Sequence, residues 1–174
     1  MSGYHTPKDY LDAAQSPATT VDELRKIAQS PFPFVAVAIA NHPNVSTDIL
    51  DALAPNEAHT WQQHEIAVAI GGNPKASPET LRRLLGLLVQ ALDNGRDHQM
   101  AFKAGVVICC NPDTPIDTIQ EVLVSPQVAM QFRKVVARET SRLDVLDILL
   151  NDRSSTVKKR AQQTAQALGV ISDD

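Results

Sequence analysis

The chain has 174 residues, 43% of them hydrophobic and 21% charged, with a formal net charge of −4. This is an ordinary balance for one folded domain, and it excludes a protein that attracts polyanions by bulk charge. No apolar run reaches the roughly 18 residues of a membrane span, no basic-then-apolar leader opens the chain, and two adjacent cysteines make no disulfide framework. A reducing cytoplasm is therefore the expected location.

Read in chain order, the sequence predicts helices in a repeating arrangement. A first helix over Pro7–Gln15 caps one end. Four proline pairs follow: Ser16-Pro17, His42-Pro43, Asn73-Pro74 and Asn111-Pro112. Seven residues after each proline stands Leu24, Leu50, Leu81 or Ile119, and ten after it Ile27, Leu53, Leu84 or Val122. Five after it is an acid: Asp22, Asp48, Glu79 or Asp117. Self-similarity at this period signals stacked repeats.

Each unit reads as two helices. The first begins at an N-cap hydroxyl, Thr20, Ser46 or Ser77, with Pro115 in that slot of the fourth unit. Its acid faces the positive end of the helix dipole. The second helices are expected at Phe34–Ala40, Glu65–Gly71, Met100–Cys110 and Ala129–Arg138. Each ends with a branched residue and then a small one: Ile39-Ala40, Ile70-Gly71, Ile108-Cys109, Val136-Ala137. In the fifth unit, where Thr140 replaces the proline, Leu146, Leu149 and Asp144 take the recurring slots in a register open by one residue. A last helix is expected over Thr156–Leu168 with Gly169 as its C-cap. The predicted fold is all-α: a right-handed α-solenoid of about five irregular two-helix repeats with terminal capping helices. It forms one domain over 1–174, with a cap at 1–15, repeats at 16–168 and a tail at 169–174.

The segments 35–43 (VAVAIANHP) and 66–74 (IAVAIGGNP), with the caps and leucines after them, resemble the leucine-rich repeat variant family, over roughly residues 14–165. The resemblance implies a right-handed superhelix similar to armadillo and HEAT arrays, no enzymatic activity and no fixed ligand. The chain departs from the family pattern in three ways. The prolines are spaced by 26, 31 and 38 residues, the fifth proline is missing, and the arginine early in the second helix occurs only at Arg133.

The unequal spacing places extra residues between the two helices of a unit, chiefly in 54–63 and 93–99. Insertions in a solenoid collect on one face, often the binding face. The expected protein-binding residues are thus Trp61, His59, His64, Arg96 and His98. Trp61 is the single tryptophan, a residue type enriched at binding hot spots; its other reading is a cover over the helix pair. The histidines with Glu57, Asp93 and Asp97 could ligate a metal, but their spacing matches no strong signature, so no metal and no cofactor is expected. Cys109 fills the small-residue slot of Ala40 and Gly71, which reads as packing. The alternative function is nucleic-acid binding by the basic last units, through Arg133, Lys134, Arg138, Lys158 and Lys159, with Arg142, Arg153 and Arg160 nearby; a HEAT-like damaged-base enzyme is one form of it. Phe132 is expected to pack inward. No Gly-x-Ser-x-Gly turn or other catalytic constellation is present, so the chain is expected to be no enzyme, but a scaffold whose partner is an unknown protein.

Overall fold

The computed structural model describes residues 6–93 and 99–171. Within them are eleven α-helices and no strand: α1 (Pro7–Gln15), α2 (Val21–Ile27), α3 (Pro33–Ala40), α4 (Thr47–Leu53), α5 (Trp61–Gly71), α6 (Pro78–Leu88), α7 (Gln99–Cys110), α8 (Ile116–Val124), α9 (Met130–Glu139), α10 (Leu143–Leu150) and α11 (Ser155–Ala167). No helix among the described residues is long and apolar enough to cross a membrane.

The helix starts follow from local chemistry. Thr6, Thr20 and Thr60 each form a capping box, with Asp9, Glu23 and Gln63 reaching back to the cap N–H. Two free N–H groups are thereby satisfied at each start. Ser77 caps α6 through the Thr80 N–H, and Ser46 and Pro115 occupy the cap positions of α4 and α8. At the other end Gly169 has φ of 71°, the left-handed conformation that glycine adopts without a Cβ penalty.

Two expectations about element bounds are corrected. The connection predicted over 54–63 is shorter, because α5 begins at Trp61 behind the Thr60 cap; Trp61, Gln62 and Gln63 are helical. In the third unit much of the extra length goes into the first helix. α6 runs to Leu88 and continues as a 3₁₀ turn over Val89–Ala91, because Leu81, Leu84, Leu85 and Leu88 keep one apolar face buried across three turns.

The core lies between two sets of helices. α1, α3, α5, α7, α9 and α11 pack each on the next, and α6, α8 and α10 do the same. The expected aliphatics Leu24, Leu50, Leu81, Ile119, Leu146 and Leu149 are buried, as are Ile39, Ile70, Ile108 and Val136. Cys109 is wholly buried in the small-residue slot. The slot needs a small side chain: a Cβ on Gly71 would lie 2.6 Å from Ile108 Cγ1.

Polar side chains link one turn to the next. Asn73 Nδ2 donates to the Ala40 carbonyl at 2.7 Å, and Asn111 Nδ2 to the Gly71 carbonyl at 2.7 Å. The same residues accept the N–H groups of Lys75 and Asp113. His42 repeats both roles, with Nε2–H donating to the Ser16 carbonyl and Nδ1 accepting from Asn44. Asn44 and Lys75, two residues after His42 and Asn73, and Arg142, two residues after Thr140, bridge carbonyls of the preceding turn. The fifth turn is short: Thr140 Oγ1 accepts from the Arg142 N–H, and Arg142 is itself the N-cap of α10. That fixes Leu146 and Leu149 four and seven residues after the cap, the positions of Leu50 and Leu53 in the second unit.

The recurring acids do more than face a dipole. Asp48 pairs with Arg25 of the unit before it at 3.0 Å, and Asp117 with Arg82 at 3.2 Å. Both carboxyls are held below the usual range, Asp48 first by the Ser46 hydroxyl and then by Arg25, Asp117 first by the Thr118 N–H and then by Arg82. These are exposed pairs, worth little individually; what they supply is register between consecutive units.

Candidate interaction surfaces

Trp61 is 55% exposed at the first position of α5. Residues four, seven and eleven further along a helix share its face, and here they are Glu65, Val68 and Gly72. All three line a groove of about 430 Å³ that runs over α3, α5 and α7 past Val37, Met100, Lys103 and Val107. Val37 and Asn41 also line a second groove of about 540 Å³ between α1 and α3, which includes Phe34 and Leu11. The two grooves share Val37 and Asn41 as lining residues.

Large apolar side chains stand at the starts of successive second helices. Phe34 and Met100 stand second in α3 and α7, and Trp61 and Met130 first in α5 and α9. Phe34, Trp61 and Met130 are exposed, and Met100 is half-buried. Phe34 is stiffened by stacking on Phe32 at 5.6 Å, and Phe32 meets Tyr10 edge-on at 5.9 Å. Large apolar side chains exposed on one surface of consecutively packed helices mark an interaction site more strongly than scattered ones.

The other expected contact residues separate. His59 is exposed beside the Thr60 cap. His64 is not a surface residue: it is 5% exposed, and its Nε2–H donates to the Ala58 carbonyl at 2.9 Å. It closes the 54–60 connection from inside, since an imidazole reaches across a loop of that length and satisfies a buried carbonyl. Arg96 and His98 lie outside the described residues. Among the described residues no three His, Cys, Asp or Glu side chains converge on a metal position.

The basic end also divides. Arg133 is 2% exposed and leaves the nucleic-acid set: its Nε donates to Asp152 at 2.7 Å and its Nη1 to the Val128 carbonyl at 2.6 Å. A guanidinium can be buried here because its donors meet a carboxylate and a carbonyl together. Arg153 is spent on the Val124 and Ser125 carbonyls, and Arg142 on the turn described above. Arg138 pairs with its neighbour Glu139. Lys134, Lys158, Lys159 and Arg160 have no carboxylate partner among the described residues. Phe132 is wholly buried, edge-on to Phe102.

Neither cysteine has the setting of a reactive thiol. Burial pushes both up, Cys110 to about 11 and Cys109 further, so each stays protonated at neutral pH.

The groove residues Val37, Glu65, Val68 and Lys103 escape a reading based on connections alone. Their signal is helical: Trp61, Glu65, Val68 and Gly72 follow the stripe period once α5 starts at Trp61. No family model matches the chain, and no curated protein or solved structure matches it either.

Proposed function

We propose that this chain is a non-enzymatic, cytoplasmic scaffold that binds another protein on the exposed face of its second helices. It is built as a right-handed α-solenoid of about five irregular two-helix repeats, with α1 closing one end. The neighbour-to-neighbour packing of α3, α5, α7, α9 and α11 supports this reading. So does the same turn chemistry at His42, Asn73 and Asn111. The resemblance to leucine-rich repeat variant proteins adds the handedness. Stacked units offer an extended surface rather than a reaction centre.

The observation that carries the function is the exposure of Trp61 on the stripe that lines the groove. A surface tryptophan costs solubility, and a partner that buries it would gain a large, rigid contact. Affinity capture from native cytosol with mass spectrometry tests this. Trp61→Ala with Phe34→Ala should remove the captured protein while leaving the melting temperature within a few degrees. An unchanged set of captured proteins would refute the site.

A second reading keeps nucleic acid as the partner. Its support is the group Lys134, Lys158 and Lys159, which no carboxylate of the described residues neutralises. It requires a gel shift that weakens with salt and with charge reversal of those three lysines.

A further inference from the structure

Two steps between consecutive first helices close opposite charges on each other: Arg25 of α2 meets Asp48 of α4, and Arg82 of α6 meets Asp117 of α8. Between the second helices α5 and α7 the opposite charges stay open. Glu65 and Lys103 each stand five residues before the branched residue of their helix, Ile70 and Ile108. The two helices pack with those ends together: a Cβ on Gly71 would touch Ile108, and Asn111 bonds the Gly71 carbonyl. Glu65 and Lys103 are therefore at one level, one helix step apart, and both line the groove of about 430 Å³. Glu65 is half-buried and Lys103 is exposed. No ion pair joins them, and neither pairs with another charge among the described residues. The floor beside them is aliphatic, with Val37, Val68, Ala69 and Val107.

We infer that this groove takes an extended protein segment with one basic and one acidic residue about three positions apart. The basic residue meets Glu65, the acidic residue meets Lys103, and an aliphatic side chain covers the valines. This rests on the protein-binding reading and names the partner's chemistry. Packed helices lie about 8–10 Å apart. A segment in the polyproline II conformation has about three residues per turn and rises about 3.1 Å per residue. Residues three positions apart then point to one side at roughly 9 Å, which is one helix step. Same-side residues of a β-strand recur at roughly 6.6 and 13 Å, short of the step and beyond it. Charge complementarity fixes which residue faces which helix. The Glu65 carboxylate beside Lys103 disfavours a phosphate chain, which would meet one anion and one cation here.

The test is selection of a random twelve-residue peptide library displayed on phage, followed by fluorescence anisotropy of the enriched peptides at 50 and 500 mM salt. The expected peptides share Lys or Arg and Asp or Glu three positions apart. Glu65→Gln should weaken them at least threefold at 50 mM salt and less at 500 mM. In that variant, replacing the peptide's basic residue by Gln should cost nothing further. Lys103→Gln should do the same for the peptide's acidic residue. The near-isosteric Val68→Thr should weaken the peptides with little salt dependence; circular dichroism checks that all three variants fold. Additive losses in either pairing, enriched peptides without the charge pair, or no enrichment at all would overturn the inference. Peptides lost with Trp61→Ala but indifferent to Glu65→Gln and Lys103→Gln would overturn it and leave protein binding standing. A single-stranded 20-nucleotide DNA bound more tightly than any peptide would remove both.

Discussion

Asn111 Nδ2 lies 2.7 Å from the carbonyl oxygen of Gly71, a residue forty positions earlier, and its Oδ1 accepts the N–H of Asp113. One buried amide thus closes its own turn and ties it to the end of the preceding second helix. Asn111→Ala leaves the Gly71 carbonyl without this donor, and the expected cost is about 2–3 kcal/mol. Urea unfolding should show a lower midpoint at an unchanged slope. His42→Asn, which keeps a donor and an acceptor, should cost less than half of what His42→Ala costs.

Arg133 and Asp152 form a buried pair at 2.7 Å, with both side chains at most 5% exposed. Asp152→Ala strands a guanidinium in the core, and loss of one partner of a buried pair costs about 3–5 kcal/mol. Lys158→Ala and Lys159→Ala are exposed changes expected to stay within about 0.5 kcal/mol. Thermal melts of the three variants separate the structural arginine from the surface lysines. Equal melting temperatures would mean that the pair contributes no more than a surface contact.

The glycines should divide by what surrounds them. A Cβ on Gly105 would sit 2.9 Å from Phe132 Cε2 and 3.1 Å from Leu92 Cδ2, and one on Gly71 would meet Ile108. Gly71→Ala and Gly105→Ala should each destabilise by about 1–3 kcal/mol through overpacking. A Cβ on Gly86, in exposed α6 backbone, would meet nothing within 4 Å. Gly86→Ala should therefore stabilise by about 0.5–1 kcal/mol. Differential scanning calorimetry reads the opposite signs directly.

The cysteines give a pH dependence. Burial raises the Cys110 thiol to about 11, above the roughly 8.5 of an unfolded cysteine. The folded state holds the proton more tightly. The stability this represents is whole below about pH 8.5 and falls away as pH climbs toward 11. Stability should therefore drop between pH 8 and 11, with a smaller drop in Cys110→Ala. Iodoacetamide at pH 8 should modify the native protein at least tenfold more slowly than free cysteine. A rate equal to that of the free thiol would show that Cys110 is not shielded.

The sequence alone determined the helices and their order, because the signals involved are short-range. A cap hydroxyl acts on an N–H three residues away, a proline stops the helix behind it, and aliphatics three apart share a face. These reach α1 as Pro7–Gln15, the starts after Thr20, Ser46 and Ser77, and the burial of Leu146 and Leu149. Only the tertiary structure decided what each polar residue does. Arg133 and Lys134 are neighbours in a basic run, yet one is buried against Asp152 and the other is only half-buried, without a carboxylate partner among the described residues. His59 and His64 diverge in the same way, the first exposed and the second bonded to Ala58. Burial is set by which helix packs against which, and partners such as Asp152 or Gly71 lie 19 and 40 residues away. Composition and local periodicity carry no term for such pairs. The recurring cap, acid and aliphatic slots therefore read directly from the chain, while the groove over α3, α5 and α7 exists only once these second helices are packed together.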